Sequence, residues 1–206
     1  MSEFLVGVTG AKRHGKDTFA GFLSELVPGC RVLHFADKLK DQASEVFGLP
    51  RSCFEGGQKE MLLPEPLSLD LWLPEMRGIT GLPLEQQGCV ASSSREVLQL
   101  FGTEYVRAVD PGYWVDTTMA MAREGPAVIA DVRFLGEGEA VREAGGRVVW
   151  VELRGAIPSG DRHVSEQLPV GCVGQHLRVA PGHLDCLRRA AAAVARGGVF
   201  SGCCAD

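Results

Sequence analysis

A strand, a glycine loop and a helix, in that order within residues 3–26, constrain this chain more than any other stretch. Phe4 to Val8 is a short apolar run with β-branched residues, the pattern of a strand buried on both faces. Gly10-Ala11-Lys12-Arg13-His14-Gly15-Lys16 follows at once and fits G-x-x-x-x-G-K, the loop that cradles phosphates. Phe19, Phe22, Leu23 and Leu26 then recur at helical spacing, so a helix is predicted to start near Gly15. Gly10 and Gly15 permit backbone angles and close approach that a Cβ forbids. Backbone N–H groups from Ala11 through Thr18 can then point at phosphate oxygens, helped by the positive end of the helix. Lys16 adds a mobile cation for the β/γ oxygens. Ser or Thr is usual after that lysine, as a magnesium ligand. Here the position is Asp17, with Thr18 one place later. The competing reading is a glycine-rich turn with no ligand.

Such a unit points to an α/β, three-layer sandwich on a mostly parallel sheet of about five strands. The 206 residues, 45% of them hydrophobic, suit one such domain over 1–196 with inserted segments. No run of about 18 apolar residues is present, and Met1-Ser2-Glu3 lacks the basic start of a signal peptide. A cytoplasmic setting is expected. The net charge of −5 disfavours nucleic-acid binding through a broad basic face. Seven scattered cysteines without a C-x-x-C pair fit reduced thiols better than disulfides or zinc.

Further along, Arg31 to Phe35 reads as a strand, and Ala36 opens a helix that runs to about Phe47. Asp37 is either an N-cap or an acceptor-side group, and Lys38 and Lys40 on the first turn are either solvated or acceptor-facing. Residues 51–92, broken by prolines and glycines, read as an insertion over an acceptor site or, alternatively, as a flexible loop. Ser93 with Glu96 has the spacing of a capping box, and Asp110-Pro111 the pattern of an N-cap followed by Pro at N1. Gln99, Arg107 and Trp114 in the helices that follow are candidate acceptor contacts, with burial in the core as the plainer reading of Trp114. Ala127 to Asp131 is an apolar strand ending in an acid, placed to hold a magnesium-bound water. Arg133, two residues on, would share its side of an extended chain and face the crevice, the competing reading being a buried Asp–Arg pair that ties a loop. A helix over 136–144 and a strand over 147–153 lead to Arg154. Residues 155–174, with Asp161 to Glu166 among glycines and prolines, have the composition of a lid. A last strand at 175–179, a helix at 183–196 and a frayed tail at 197–206 complete the expectation.

Six stretches together resemble the bacteriophage deoxynucleoside monophosphate kinases of the P-loop kinase superfamily. They are residues 10–18, 35–40, 98–103 (Leu98 to Thr103), Tyr113-Trp114, Asp131 to Arg133, and His163 to Glu166. The Lys16-Asp17-Thr18 ending is usual there. The resemblance implies a nucleoside monophosphate kinase-like fold and transfer from ATP, with Mg2+, to a deoxynucleoside 5′-monophosphate. It implies Lys16 and the loop amides on ATP, and Asp131 with Asp17 or Thr18 around magnesium. Arg133 and Arg107 would hold the acceptor phosphate, and Arg154 and Arg162 would approach from the lid. Asp37, Lys38, Lys40, Gln99, Trp114, His163 and Glu166 would lie on the acceptor side. The expected partner is a small molecule, with no nucleic acid and no membrane, and a homodimer is compatible. Phosphomevalonate kinases and phage kinases of hydroxymethylated pyrimidines in DNA look similar at the same places. A nucleotide-binding switch that transfers nothing is the non-enzyme alternative.

Overall fold

The computed structural model describes residues 4–11, 13–69, 90–154, 170–180 and 182–200. In chain order the elements are β1 (Leu5–Thr9), α1 (Lys16–Leu26), β2 (Arg31–Leu33), α2 (Phe35–Phe47), β3 (Leu62–Ser68) and β4 (Val90–Ser93). Then come α3, which begins as Ser94–Gln99, α4 (Tyr113–Ala122), β5 (Ala127–Ile129), α5 (Leu135–Glu143), β6 (Arg147–Leu153), β7 (Gln175–Val179) and α6 (Leu184–Ala195). The chain divides into two compact units, one formed by residues to Phe35 and from Thr118 onward, the other by Ala36–Thr117.

The first unit is built on a five-stranded sheet in the order β2-β5-β1-β6-β7, every pair parallel. All five residues of β1 are buried, as a central parallel strand requires. Val6 and Val8 face one side with Val128, Val149, Val151, Leu177 and Val179. On that side Phe19, Ala20 and Leu23 of α1 and Leu187, Ala190, Ala191 and Val194 of α6 complete the core. α5 covers the opposite face, where Val141 lies 3.4 Å from the place a Cβ on Gly7 would take. The fold is therefore α/β with helices on both faces of a parallel sheet. Since all five strands run the same way, the segments that follow them leave from one edge. From β1 the chain turns to β2 and β5 on one side and later crosses to β6 and β7 on the other. β1 thus sits at the switch point where such sheets take ligands.

The second unit has its own core of Ala43, Phe47, Phe54, Leu69, Ala91, Val97, Phe101, Tyr105, Val106 and Trp114. Of the 51–92 insertion, two short 3-10 turns and β3 are described, and β3 pairs antiparallel with β4. Ser93 caps α3 as expected, its Oγ accepting from the Glu96 N–H, but the Glu96 carboxylate reaches back to the Ser92 N–H at 2.6 Å. Beyond Gln99 the helix widens to π geometry over Leu100–Val106 and recovers an α turn at Arg107–Val109. Asp110 accepts the Gly112 N–H at 3.0 Å, the expected cap before α4.

Four expectations change. Strand β2 stops at Leu33 and Phe35 already opens α2, so Asp37 lies inside the first turn and is not the N-cap. Strand β5 ends at Ile129, and a turn follows at 130–131. Residues 197–200 are placed: Gly198 N–H closes on the Ala193 carbonyl and Phe200 packs on the first core. Cys30, Cys53 and Cys172 are free thiols, but Cys186 is in a disulfide whose partner is outside the described residues.

Candidate functional site

The glycine loop leaves β1 with Gly10 at φ 148°, a conformation for which a side chain has no room. A Cβ there would run into the Val151 carbonyl oxygen of β6. Gly15, at φ 85°, is the N-cap of α1. Arg13, at φ 65°, has the single positive φ of a non-glycine among the described residues. Such backbone strain collects where a loop is shaped for a ligand. The Lys16 ammonium donates to the carbonyls of Gly10 and Ala11, 2.8 Å each, so it lies across the mouth of the loop that its own helix begins. The result is a concave run of backbone at a helix N-terminus with a cation beside it, which is what a phosphate chain needs.

His14 is buried inside this loop. Its Nδ1 accepts the Leu153 N–H at 3.3 Å. Burial first, and then the charge of Lys16, hold its pKa below the ordinary histidine value against a smaller opposing pull from Glu152. Asp17 and Thr18 on the first turn of α1 are exposed. Lys12 lies outside the described residues.

Asp131 follows β5 and is 8% exposed. Its Oδ1 accepts the Phe35 N–H at 2.8 Å, which fastens the turn after β5 to the start of α2. The turn at 130–131 removes the extended geometry by which Asp131 and Arg133 were expected to share a side. Instead Glu137, 1% exposed, fixes the segment: one carboxylate oxygen accepts from both the Arg133 and Phe134 N–H groups, at 2.7 and 3.1 Å. Sequence reasoning missed Glu137. Its place three residues past Phe134, before a helical run, is the spacing that identified Glu96. Arg154 is anchored at the end of β6 by its N–H to the Val179 carbonyl, 2.9 Å, with an exposed side chain. Arg162, His163 and Glu166 lie outside the described residues.

Asp37, Lys38, Lys40, Gln99, Arg107 and Trp114 all belong to the second unit. Lys40 meets Glu55 at 3.1 Å and Asp37 at 3.8 Å. Arg51, which sequence reasoning also missed, bonds Asp41 at 2.6 Å, Asp37 at 3.2 Å and Glu55. Burial would raise the Glu55 carboxyl, but the bonds and charges of Lys40 and Arg51 outweigh it and hold it below the usual value. Lys38, Gln99 and Arg107 are half-buried.

Trp114 is corrected from acceptor contact to core. It is 1% exposed, its Nε1–H bonds the Gly102 carbonyl at 3.1 Å, and its ring meets Phe101 and Tyr113 edge-on. A base has no face to stack on. Gly102 earns its place in the same cluster, because a Cβ there would come within 2.5 Å of Leu39 Cδ2. Three of the recognised stretches, at 35–40, 98–103 and 113–114, therefore meet at one packing point.

Among the described residues no three His, Cys, Asp or Glu side chains form a cage for a metal. Magnesium beside a triphosphate does not need one, since phosphate and water oxygens fill most of its shell and one or two protein oxygens suffice. Asp17, Thr18 and Asp131 are oxygen donors that fit this requirement. Among the described residues no helix is long and apolar enough to cross a membrane.

Comparison with known proteins adds three findings. A family model described as deoxynucleotide monophosphate kinase matches residues 81–176. A protein of Acanthamoeba polyphaga mimivirus, provisionally named a deoxynucleotide monophosphate kinase, is 29% identical over 177 residues, covering 79% of this chain and 80% of its own. A crystal structure of a Thermus thermophilus protein aligns with 98% of this chain and 100% of its own at 19% identity, with a TM-score of 0.46. The family match does not include the glycine loop, so loop and match are separate supports for one reading. The family model and the viral relative carry the same description, deoxynucleotide monophosphate kinase, and the chain is similar to both.

Proposed function

We propose that this protein transfers the γ-phosphoryl group of ATP to a deoxynucleoside 5′-monophosphate, giving the diphosphate and ADP. The observation that carries the reading is the Lys16 ammonium held over the Gly10 and Ala11 carbonyls inside a loop shaped by Gly10 and Gly15. In the reaction a phosphate oxygen of the acceptor forms the new P–O bond while the bond to the ADP oxygen breaks. The acceptor is already an anion, so no general base is required. The work is alignment and neutralisation of charge.

Loop amides from Ala11 to Thr18, with Lys12, Arg13 and Lys16, hold the β- and γ-phosphates. Asp17, Thr18 and Asp131 are the protein oxygens for magnesium, directly or through water. Bound there, magnesium would offset charge on the phosphate oxygens. Arg133 and Arg107 each fork onto two oxygens of the acceptor phosphate. Arg154 and Arg162 neutralise charge that develops during transfer. Asp37, Lys38, Lys40, Gln99, His163 and Glu166 contact the acceptor nucleoside. Arg51 is tied to Asp37 and, like Lys40, to Glu55, so it sets how much free positive charge Lys40 offers an anion.

The test is one panel. ATP and magnesium are incubated with dGMP, dTMP, dCMP, dAMP, phosphomevalonate or hydroxymethyluracil-containing DNA, and both ADP and phosphorylated acceptor are scored. Turnover with at least one deoxynucleoside monophosphate is expected, and Lys16→Ala should lower it about a thousandfold. Phosphorylation of phosphomevalonate or DNA alone, or full activity of Lys16→Ala, refutes the proposal.

A further inference from the structure

His14 lies inside the motif, yet the motif does not call for a histidine at that position. The loop meets β6 at two points. At the first, Gly10 lies so close to Val151 that no side chain fits. At the second, His14 Nδ1 accepts the Leu153 N–H. Alternate N–H groups of a parallel strand face opposite neighbours. Arg154 N–H turns toward β7, where it meets the Val179 carbonyl, so the Leu153 N–H faces the β1 side. β1 has ended at Thr9, which pairs with Trp150 three residues earlier. The imidazole therefore stands where a strand carbonyl would have continued the ladder. We propose that His14 is a positioning residue: as a neutral hydrogen-bond acceptor it pins the phosphate loop to the end of β6 and so sets the affinity for a nucleoside triphosphate. The proposal rests on the reading of this loop as the ATP site.

Only the tautomer protonated at Nε2 can accept at Nδ1, and the imidazolium cannot accept at all. The surroundings favour the neutral form. His14 is 7% exposed, and its Nε2 has no hydrogen-bond partner. Burial and then Lys16 on α1 oppose a second positive charge, with Glu152 on β6 pulling the other way. Glu152 is shared with His176 at 2.7 Å and Arg178 at 3.1 Å on β7. Arg13 precedes His14 in the loop, Arg154 follows Leu153, and α6 offers the loop the apolar Leu187 at Gly15. With its pKa held below the ordinary histidine value, His14 is neutral at pH 7.5, and the bond is lost only in acid.

The experiment measures ATP affinity by calorimetry from pH 7.5 to 5.0 for the wild type, His14→Ala, His14→Asn and His176→Asn, each checked for folding by circular dichroism and melting. Asn places an amide oxygen where Nδ1 stood and does not titrate. At pH 7.5, His14→Ala is expected to weaken ATP about tenfold, the loss of one hydrogen bond to a half-buried N–H. His14→Asn is expected to stay within about twofold of wild type. Dividing wild-type affinity by that of His14→Asn cancels the titration of the nucleotide itself. This ratio should fall in acid, and His176→Asn should show the same fall. A constant ratio, or His14→Asn as weak as His14→Ala, overturns the positioning role. If His14→Ala does not fold, His14→Asn and the ratio decide. Wild type that fails to bind ATP at pH 7.5 removes the ATP site and this proposal together. Wild type that binds with indistinguishable His14 variants removes this proposal alone.

Discussion

Gly10 and Gly15 serve the same loop for different reasons, and alanine at each position separates them. Both have positive φ, 148° and 85°. At Gly15 the added methyl has room, with Leu187 Cδ2 at 3.6 Å as its nearest neighbour. The cost is then only that of a left-handed backbone for an L-residue, about 1–2 kcal/mol. At Gly10 the conformation costs about 1–3 kcal/mol. In addition, the Cβ falls about 1 Å inside ordinary carbon–oxygen contact with the Val151 carbonyl. That oxygen belongs to the backbone of a central strand and cannot swing aside, so the loop must lift away from β6. We expect Gly10→Ala to cost about 3 kcal/mol or more, a large part of the roughly 5–15 kcal/mol that holds a domain together. In urea this is a midpoint lower by about 1 M or more. ATP affinity should fall further in Gly10→Ala than in Gly15→Ala, because only the first displaces the carbonyls that Lys16 grips. Urea unfolding followed by circular dichroism, with calorimetric ATP titration, gives both quantities. If Gly10→Ala costs under about 1 kcal/mol, or no more than Gly15→Ala, the close approach to β6 is not what the glycine is for.

Glu137→Ala leaves the Arg133 and Phe134 N–H groups without their acceptor and should cost about 2–5 kcal/mol in urea unfolding. Glu137→Gln keeps an oxygen that can serve both and should cost less than half of that, and equal losses would show that the two bonds are not what Glu137 supplies. Trp114→Phe removes the Nε1 bond to Gly102 and should cost about 1–2 kcal/mol with acceptor KM unchanged, whereas a raised KM at unchanged stability would return Trp114 to the acceptor side.

The parts of the fold legible in the sequence are those whose signal is local. Arg147–Leu153 and Gln175–Val179 keep the bounds read from the sequence, the first from an apolar run in an inner strand and the second from the alternation of an edge strand. The glycine loop was legible because its motif lies within seven residues of chain, although its contacts with Val151 and Leu153 of β6 were not. Where the outcome depended on a distant partner, the pattern fell short. The apolar run into Asp131 does not show that the chain turns at 130–131, where the Asp131 carboxylate takes the distant Phe35 N–H. Leu100–Val106 has ordinary helical periodicity, and nothing local separates an α from a π register. Within that stretch Gly102 has distant neighbours: Leu39 of α2 fills the space where a side chain would project, and the indole of Trp114 takes its carbonyl. The same argument covers the ion-pair network, in which Arg51 finds Asp37 and Asp41 across a helix and a turn. An arginine after a Pro at a helix end reads as a solvated charge until the chain has folded back. Motif residues such as Leu39, Gly102 and Trp114 can therefore recur together for packing alone, and likeness at those positions supports a shared architecture more strongly than a shared acceptor.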